Sequence, residues 1–480
     1  MIRESLGRLS RAALMLLSLA LWPLLAAADS APVPIVFVHG SSGSAAQFET
    51  HAMRFTSNGF PQKRLYAFEY DTSVIDNGAL VLAQLDAFLD RVRAENGVDK
   101  VHVAAHSRGT AVMTAYLNSY PGGSAKVARY VNIDGRFQPT LPGGVPTIGI
   151  WGEWNSGGAY ARLPGLTQIG PNPQDNFHFP EKGHTEVATS AEAFALMYRF
   201  FLGEEPRVTF VVPQQPNKVR VSGRAVIFPQ NVGYAGATLE VWRVAADSGQ
   251  RIGKAPLLTK RLDATGAFGP LAVDGRYHYE FALVRTDGSV HHFYQERFSR
   301  SNHFVRLNSS IPGTGLDLLI PKSERHAVLN ISRQREFWGD QGERTDRLRI
   351  NGTDMLTAQI APRSQVILAS YAMDAGLDGQ TDLGKGMLPP FETIPFISAA
   401  DVFVPASRAA DGVVRVVLRS RDASRVVQLN VPNWASATDR ISVQFRDDAL
   451  PFGDYAGYLR HQARCKIKPR LGMEPGAYCR

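Results

Sequence analysis

The sequence predicts an α/β layer of strands and helices to about residue 205, followed by an all-β, sandwich-like region. Three observations predict it. Short apolar or β-branched runs alternate with amphipathic stretches as far as Gly203-Glu204-Glu205-Pro206, where helical patterns stop. Beyond that point, strand-like alternations separated by turn residues continue for about 250 residues. Among the early strands, one runs straight into Ala105-His106-Ser107-Arg108-Gly109, a serine between small residues.

That pentapeptide has the small-x-Ser-x-small pattern of a nucleophile elbow, where the chain turns sharply from strand to helix. Ala105 and Gly109 leave room for the turn, a helix follows over 110–117, and Pro121-Gly122-Gly123 ends it. Val81, Leu85, Phe88, Leu89 and Val92 mark one face of the helix leading into the elbow strand. Ser107 is therefore the expected nucleophile, with an ordinary helix-capping serine as the alternative. Upstream, a strand over 33–38 ends in His39-Gly40-Ser41-Ser42-Gly43. A turn of this kind offers one backbone N–H to a developing oxyanion, and the residue after the nucleophile offers another. The expected donors are the amides of Ser41 and Arg108. No lysine follows at phosphate-loop spacing and no G-x-G-x-x-G is present, which argues against a phosphate cradle.

A general base should follow the serine. His184, in Glu181-Lys182-Gly183-His184-Thr185, precedes an expected amphipathic helix over 186–202; His178 and His106 are its rivals. Two strands can deliver the orienting carboxylate. Residues 127–133 end in Asp134-Gly135, and residues 145–150 end in Trp151-Gly152-Glu153. Asp134 is favoured, Glu153 is the alternative acid, and Asp175 is a weaker third.

Residues 33–203 resemble the α/β-hydrolase fold, and the elbow with alanine in first position resembles small bacterial lipases. The layout, a hydrolase followed by a long β-rich region, is similar to an archaeal long-chain lipase family. That family's aspartate follows the strand after the elbow helix, which implies Asp134 here. The resemblance implies a lipase or esterase acting on lipid or other esters through Ser107, His184 and Asp134, with no metal or organic cofactor.

Residues 1–28 read as a signal peptide: Arg3, Arg8 and Arg11, an apolar core over 12–25, then Ala26-Ala27-Ala28. Export to the periplasm or beyond is expected, with no membrane span afterwards. The two cysteines, Cys465 and Cys479, read as one disulfide closing a loop of about fifteen residues, worth roughly 3 kcal/mol in the chain-entropy model. Net charge is +8, and Arg460 to Arg480 holds six Lys/Arg against one acid. That tail suits anionic lipid or envelope, or is simply solvated; no nucleic-acid partner is indicated.

The segments expected are a catalytic domain over 29–205, a transthyretin-like sandwich over 206–315, a second β domain over 316–460 and a basic tail over 461–480. The β region carries no catalytic constellation. Phe337-Trp338 and Tyr371 are either core aromatics or lipid contacts, and possible lipid-surface contact through this region is retained. A hydrolase domain of about 170 residues can bury its own core, so the β domains are not expected to be needed for the chemistry. A non-catalytic envelope-binding protein, or a polyester or amide hydrolase, are the alternative functions.

Overall fold

Six short strands form one sheet whose inner strands are buried along nearly their whole length, as strands of a parallel sheet covered on both faces must be, while the two edge strands are only partly buried. The six are β1 (Ile35–Val38), β2 (Leu65–Phe68), β3 (Val101–His106), β4 (Val127–Ile133), β5 (Thr147–Gly152) and β6 (Asn176–Phe179). All pair in parallel, in the order β2-β1-β3-β4-β5-β6. The computed structural model describes residues 31–74, 76–152, 165–422, 425–447, 451–474 and 478–479. The expected signal peptide and Glu153 lie outside the described residues.

The side-chain period of two divides the core. Ile35 and Phe37 face α1 (Glu49–Ser57) and the helix at the end of this layer, whereas Val36 and Val38 face α2 (Gly78–Asn96) and α3 (Arg108–Ser119). α2 buries Val81, Leu85, Leu89 and Val92, the face its spacing predicts, with Phe88 partly buried beside them. The expected single helix over 186–202 is instead two, α4 (Glu186–Thr189) and α5 (Ala191–Leu202). Ser190 separates them in extended conformation and caps α5 by accepting from the Ala193 amide at 3.1 Å.

The order in which strands are added to the sheet reverses between β1 and β3: β1 leads outward to β2, and β3 leads the other way to β4. A crevice at the carboxyl ends of such strands is where open α/β sheets place their sites.

The later strands form two layers, as alternation predicts. Residues 219, 221, 239, 241, 281 and 305 meet in one apolar core between sheets, and a second core lies between strands drawn from residues 329–445. One nine-stranded sheet runs through both β regions, because Val290–Gln295 pairs in parallel with Asp439–Gln444. Residues 34–480 form one compact unit. Phe304, from the strand Asn302–Ser309, is buried in the hydrolase core with its ring edge-on to Phe37 at 6.2 Å. The first layer therefore does not close its core alone, contrary to the expectation from its length.

Candidate active site

β3 ends at His106, and Ser107 takes φ 52°, ψ −122° before α3 begins at Arg108. A non-glycine residue held there stores roughly 1–3 kcal/mol of strain. The Ser107 amide donates to the Ile133 carbonyl at 3.1 Å, tying the elbow to β4. A Cβ on Gly109 would lie 2.6 Å from the carbonyl oxygens of Val38 and His39, so the end of β1 passes too close for any larger residue. Arg108 opens the helix, and its amide belongs to the first turn, where no intrahelical acceptor exists. Its side chain turns away and donates to the carbonyls of Thr72 (3.1 Å) and Val74 (2.7 Å).

Asp134 follows β4 with φ 48°. Its amide donates to Ile150 at 2.8 Å, and Oδ1 accepts from the Gly152 amide at 3.1 Å. Oδ2 accepts from His184 Nδ1 in a very short hydrogen bond. The other ring nitrogen of His184 lies 2.9 Å from Ser107 Oγ. His184 and Asp134 are both buried. A Cβ on Gly135 would overlap Thr110 and Asn132, which explains the small residue after the aspartate.

The rivals go elsewhere. His178, on β6, is bound to Thr167, and Asp175 accepts from the Asn172 side-chain amide at 3.1 Å. His106 has a role the sequence did not announce. Its Nε2 donates to the His184 carbonyl at 2.9 Å, leaving Nδ1 to accept from Gln47 Nε2 at 2.6 Å, and Gln47 Oε1 accepts from the Gly40 amide at 3.2 Å. A buried relay thus joins the histidine loop to the glycine turn.

That turn lies against the elbow: a Cβ on Gly40 would sit 3.0 Å from Ser107 Cβ. Ser41 is inside it, half-buried. His39 stacks on Tyr70 at 4.6 Å, and burial pushes its pKa down, keeping the ring neutral. The β region holds the turn from outside. Asn231 Nδ2 donates to the Gly43 and Tyr70 carbonyls at 2.9 and 3.0 Å. Glu69 accepts from the Ala45 amide at 2.9 Å and is gripped by Arg306 (2.7 and 2.8 Å) and Arg224 (2.7 Å). Burial alone would raise the Glu69 pKa, but the two guanidinium groups outweigh it and hold the carboxyl at about 2.

The His184 loop is held from outside as well. Glu336 Oε2 accepts from the Thr185 hydroxyl in a very short bond and from the Glu186 amide at 2.7 Å. A Cβ on Gly183 would overlap Glu336 Oε1, so the glycine before the histidine is required by this carboxylate. Arg421 donates to Glu186 Oε2 (2.5 Å), Asp346 Oδ2 (2.9 Å) and the Glu336 carbonyl (2.6 Å), and Arg335 pairs with Glu186 at 2.9 Å. Against the upward push of burial, Arg421 and Arg335 keep Glu186 below the usual carboxylate range. Phe337 and Trp338 are buried, the latter with Arg421 at 3.5 Å and Arg363 at 4.0 Å from its ring centre. Tyr371 packs on Phe391 at 5.5 Å, so all three aromatics serve the interior.

Family models match this chain in three consecutive stretches. Residues 32–127 match class 2 lipases, residues 217–312 a lipase C-terminal domain, and residues 315–449 a model described only as a further C-terminal domain. The chain is a lipase-like α/β-hydrolase with a C-terminal β region. Among solved structures, lipase B of Aspergillus fumigatus is 14% identical over 38% of this chain and 55% of its own, at a TM-score of 0.28. Phospholipase PlaB of Legionella pneumophila is 10% identical over 52% of this chain and 86% of its own, at 0.26. A methylesterase of Arabidopsis, MES16, is 12% identical over 35% of this chain and 98% of its own, at 0.24. The lipase-like chain thus spans just over half the length of the Aspergillus enzyme.

The disulfide is present between Cys465 and Cys479. His461 Nε2 lies 3.9 Å from Cys479 Sγ, a grouping with metal-ligand chemistry, but the disulfide removes both thiolates. Among the described residues, no helix is long and apolar enough to cross a membrane.

Proposed function

We propose that this lipase-like protein is an exported serine hydrolase that cleaves carboxylic esters of lipids. One observation carries the reading: Asp134, His184 and Ser107 form an unbroken hydrogen-bonded series ending at a serine in the strained elbow conformation. In this reading Ser107 Oγ attacks the acyl carbon while His184 Nε2 takes its proton. Asp134, accepting at Nδ1, holds the tautomer that leaves Nε2 free to do so and stabilises the imidazolium that forms. The amides of Ser41 and Arg108 receive the tetrahedral oxyanion, each worth roughly 2.7–4 kcal/mol of barrier. His184 then returns the proton to the alcohol, and water repeats the sequence on the acyl-enzyme. The lipase models that match support ester substrates, and the disulfide supports an oxidising compartment.

Ser107→Ala should cost on the order of 10⁶ in turnover of a p-nitrophenyl ester, and a fluorophosphonate should label Ser107 alone. Retained hydrolysis in that variant would rule out Ser107 as the nucleophile, and no labelling of folded protein would return the chain to the binding-protein class. A series of esters against anilides of equal chain length separates ester from amide cleavage.

A further inference from the structure

The last helix presents a face that no other described part of the protein covers. α6 (Tyr455–Ile467) starts at Asp454, whose side chain accepts from the Gly457 amide at 2.6 Å, and runs into a 3-10 turn, Lys468–Leu471. Tyr458, His461 and Cys465 lie on its inner side. Phe452 meets Tyr458 at 5.3 Å and His461 at 4.8 Å, Phe210 joins Phe452 at 5.4 Å, and Cys465 is bound to Cys479. At 100° per residue, Ala456, Leu459, Ala463 and Ile467 form a single stripe on the opposite side. All four are exposed, Leu459 at 48% and Ile467 at 52%. Arg460 and Arg464 border the stripe on one edge and Lys466 on the other. The turn beyond adds Leu471 (68% exposed) and Met473 (53%), with Lys468 and Arg470 beside them. No acidic residue occurs between Tyr455 and Met473, and the stretch lies outside all three matched family models.

We propose that this face docks the protein on an anionic phospholipid surface. A helix that meets only water has no reason to centre aliphatic side chains on its exposed face and flank them with cations. A helix lying in a headgroup layer needs both, the stripe entering the acyl boundary and the cations reaching the phosphates. Nucleic acid would satisfy the cations but leave the stripe nothing apolar to enter. A second copy across a two-fold axis would set these cations against their own copies. The disulfide and the Phe452 cluster hold the inner side, so the outer side stays presented. The inference is independent of the chemistry at Ser107.

The test is flotation of the full chain carrying Ser107→Ala, so that no lipid is consumed, with vesicles of phosphatidylglycerol and phosphatidylcholine against phosphatidylcholine alone. Binding should favour the mixed vesicles and fall as salt rises. The triple change Arg460→Gln, Arg464→Gln and Lys466→Gln should weaken it about 100-fold, at about five-fold per cation near such a surface. Leu459→Gln with Ile467→Gln should weaken vesicle binding at least ~10-fold while leaving binding to heparin unchanged. Unchanged thermal unfolding establishes that both variants fold. Equal binding to neutral vesicles, or none to either kind, would overturn the proposal. So would loss of heparin and vesicle binding together in the charge variant with no effect of the apolar one, which would indicate a polyanion contact. A dimer in sedimentation that Leu459→Gln dissociates would do the same in favour of a second copy.

Discussion

Two halves of the candidate site are held in different ways. Ser107 and Asp134 stand at the ends of adjacent strands, and their amides bond to the carbonyls of Ile133 and Ile150 in the same sheet. His184 and the His39–Gly43 turn lie on loops, and both loops are fastened by the β region, through Glu336 and Arg421 for one and Asn231, Arg224 and Arg306 for the other. A strand end is positioned by its ladder, whereas a loop needs side chains from elsewhere to hold an imidazole to within a fraction of an ångström. The lesson is that the β region is part of the site's frame, whatever else it binds.

The severest way to break this comparison is to remove the frame. A chain ending near Gly203 loses Phe304 from the hydrolase core together with Glu336, Asn231 and Arg306. We expect it to aggregate, or to fold without measurable turnover on short soluble esters. Retained activity on those esters would show that the loops hold themselves.

Within the sheet-borne half, Asp134→Asn should lower turnover by roughly 10⁴ with little change in stability, because it presents the wrong hydrogen-bonding partner to His184 Nδ1. A loss below tenfold would move the orienting role to another acid. In the loop-borne half the effects should be smaller and relievable. Gly183→Ala drives a methyl group into Glu336 and should lower kcat about 100-fold by shifting His184, with KM nearly unchanged. In a Glu336→Ala background the same change should cost far less, so the double-mutant cycle reads the coupling directly. Additive losses would mean that Glu336 does not set the position of the loop.

The mildest expected effect is on pH dependence. The Glu69 pKa falls from its ordinary 4.5 to about 2 on folding, so its contribution is complete above pH 4.5 and is lost as pH drops through about 2. The contribution is on the order of 3 kcal/mol. Arg224→Gln removes one of its two guanidinium partners and should move this acid limb of the urea-stability curve to higher pH. An unmoved limb would show that the ion cluster beside the glycine turn is not what ties it down.

Much of the molecule was legible beforehand for local reasons. The strands at 101–106 and 127–133 and the burial of Val81, Leu85, Leu89 and Val92 follow from periodicity, and the elbow from small residues where a turn demands them, whereas the order serine, aspartate, histidine is what the resemblance to α/β-hydrolases implies. Gly109 is required by the close approach of the end of β1 and Gly135 by the side chains of Thr110 and Asn132, and such requirements leave a mark in short motifs. The break at Ser190 was missed because the apolar spacing runs on across it, while the cap that decides it depends on backbone geometry.

By itself, then, the sequence determined the layer order, the elbow and the candidate nucleophile and base, and left the acid open among Asp134, Glu153 and Asp175, because each of these readings rests on residues within a few positions of one another. Tertiary structure alone decided what holds the base. Glu336 lies about 150 positions from His184 and Asn231 about 190 from His39, and nothing in their own neighbourhoods distinguishes them from other strand and turn residues. Their roles arise only when folding removes water from around them, since a buried carboxylate or amide must then find partners wherever the chain has brought them.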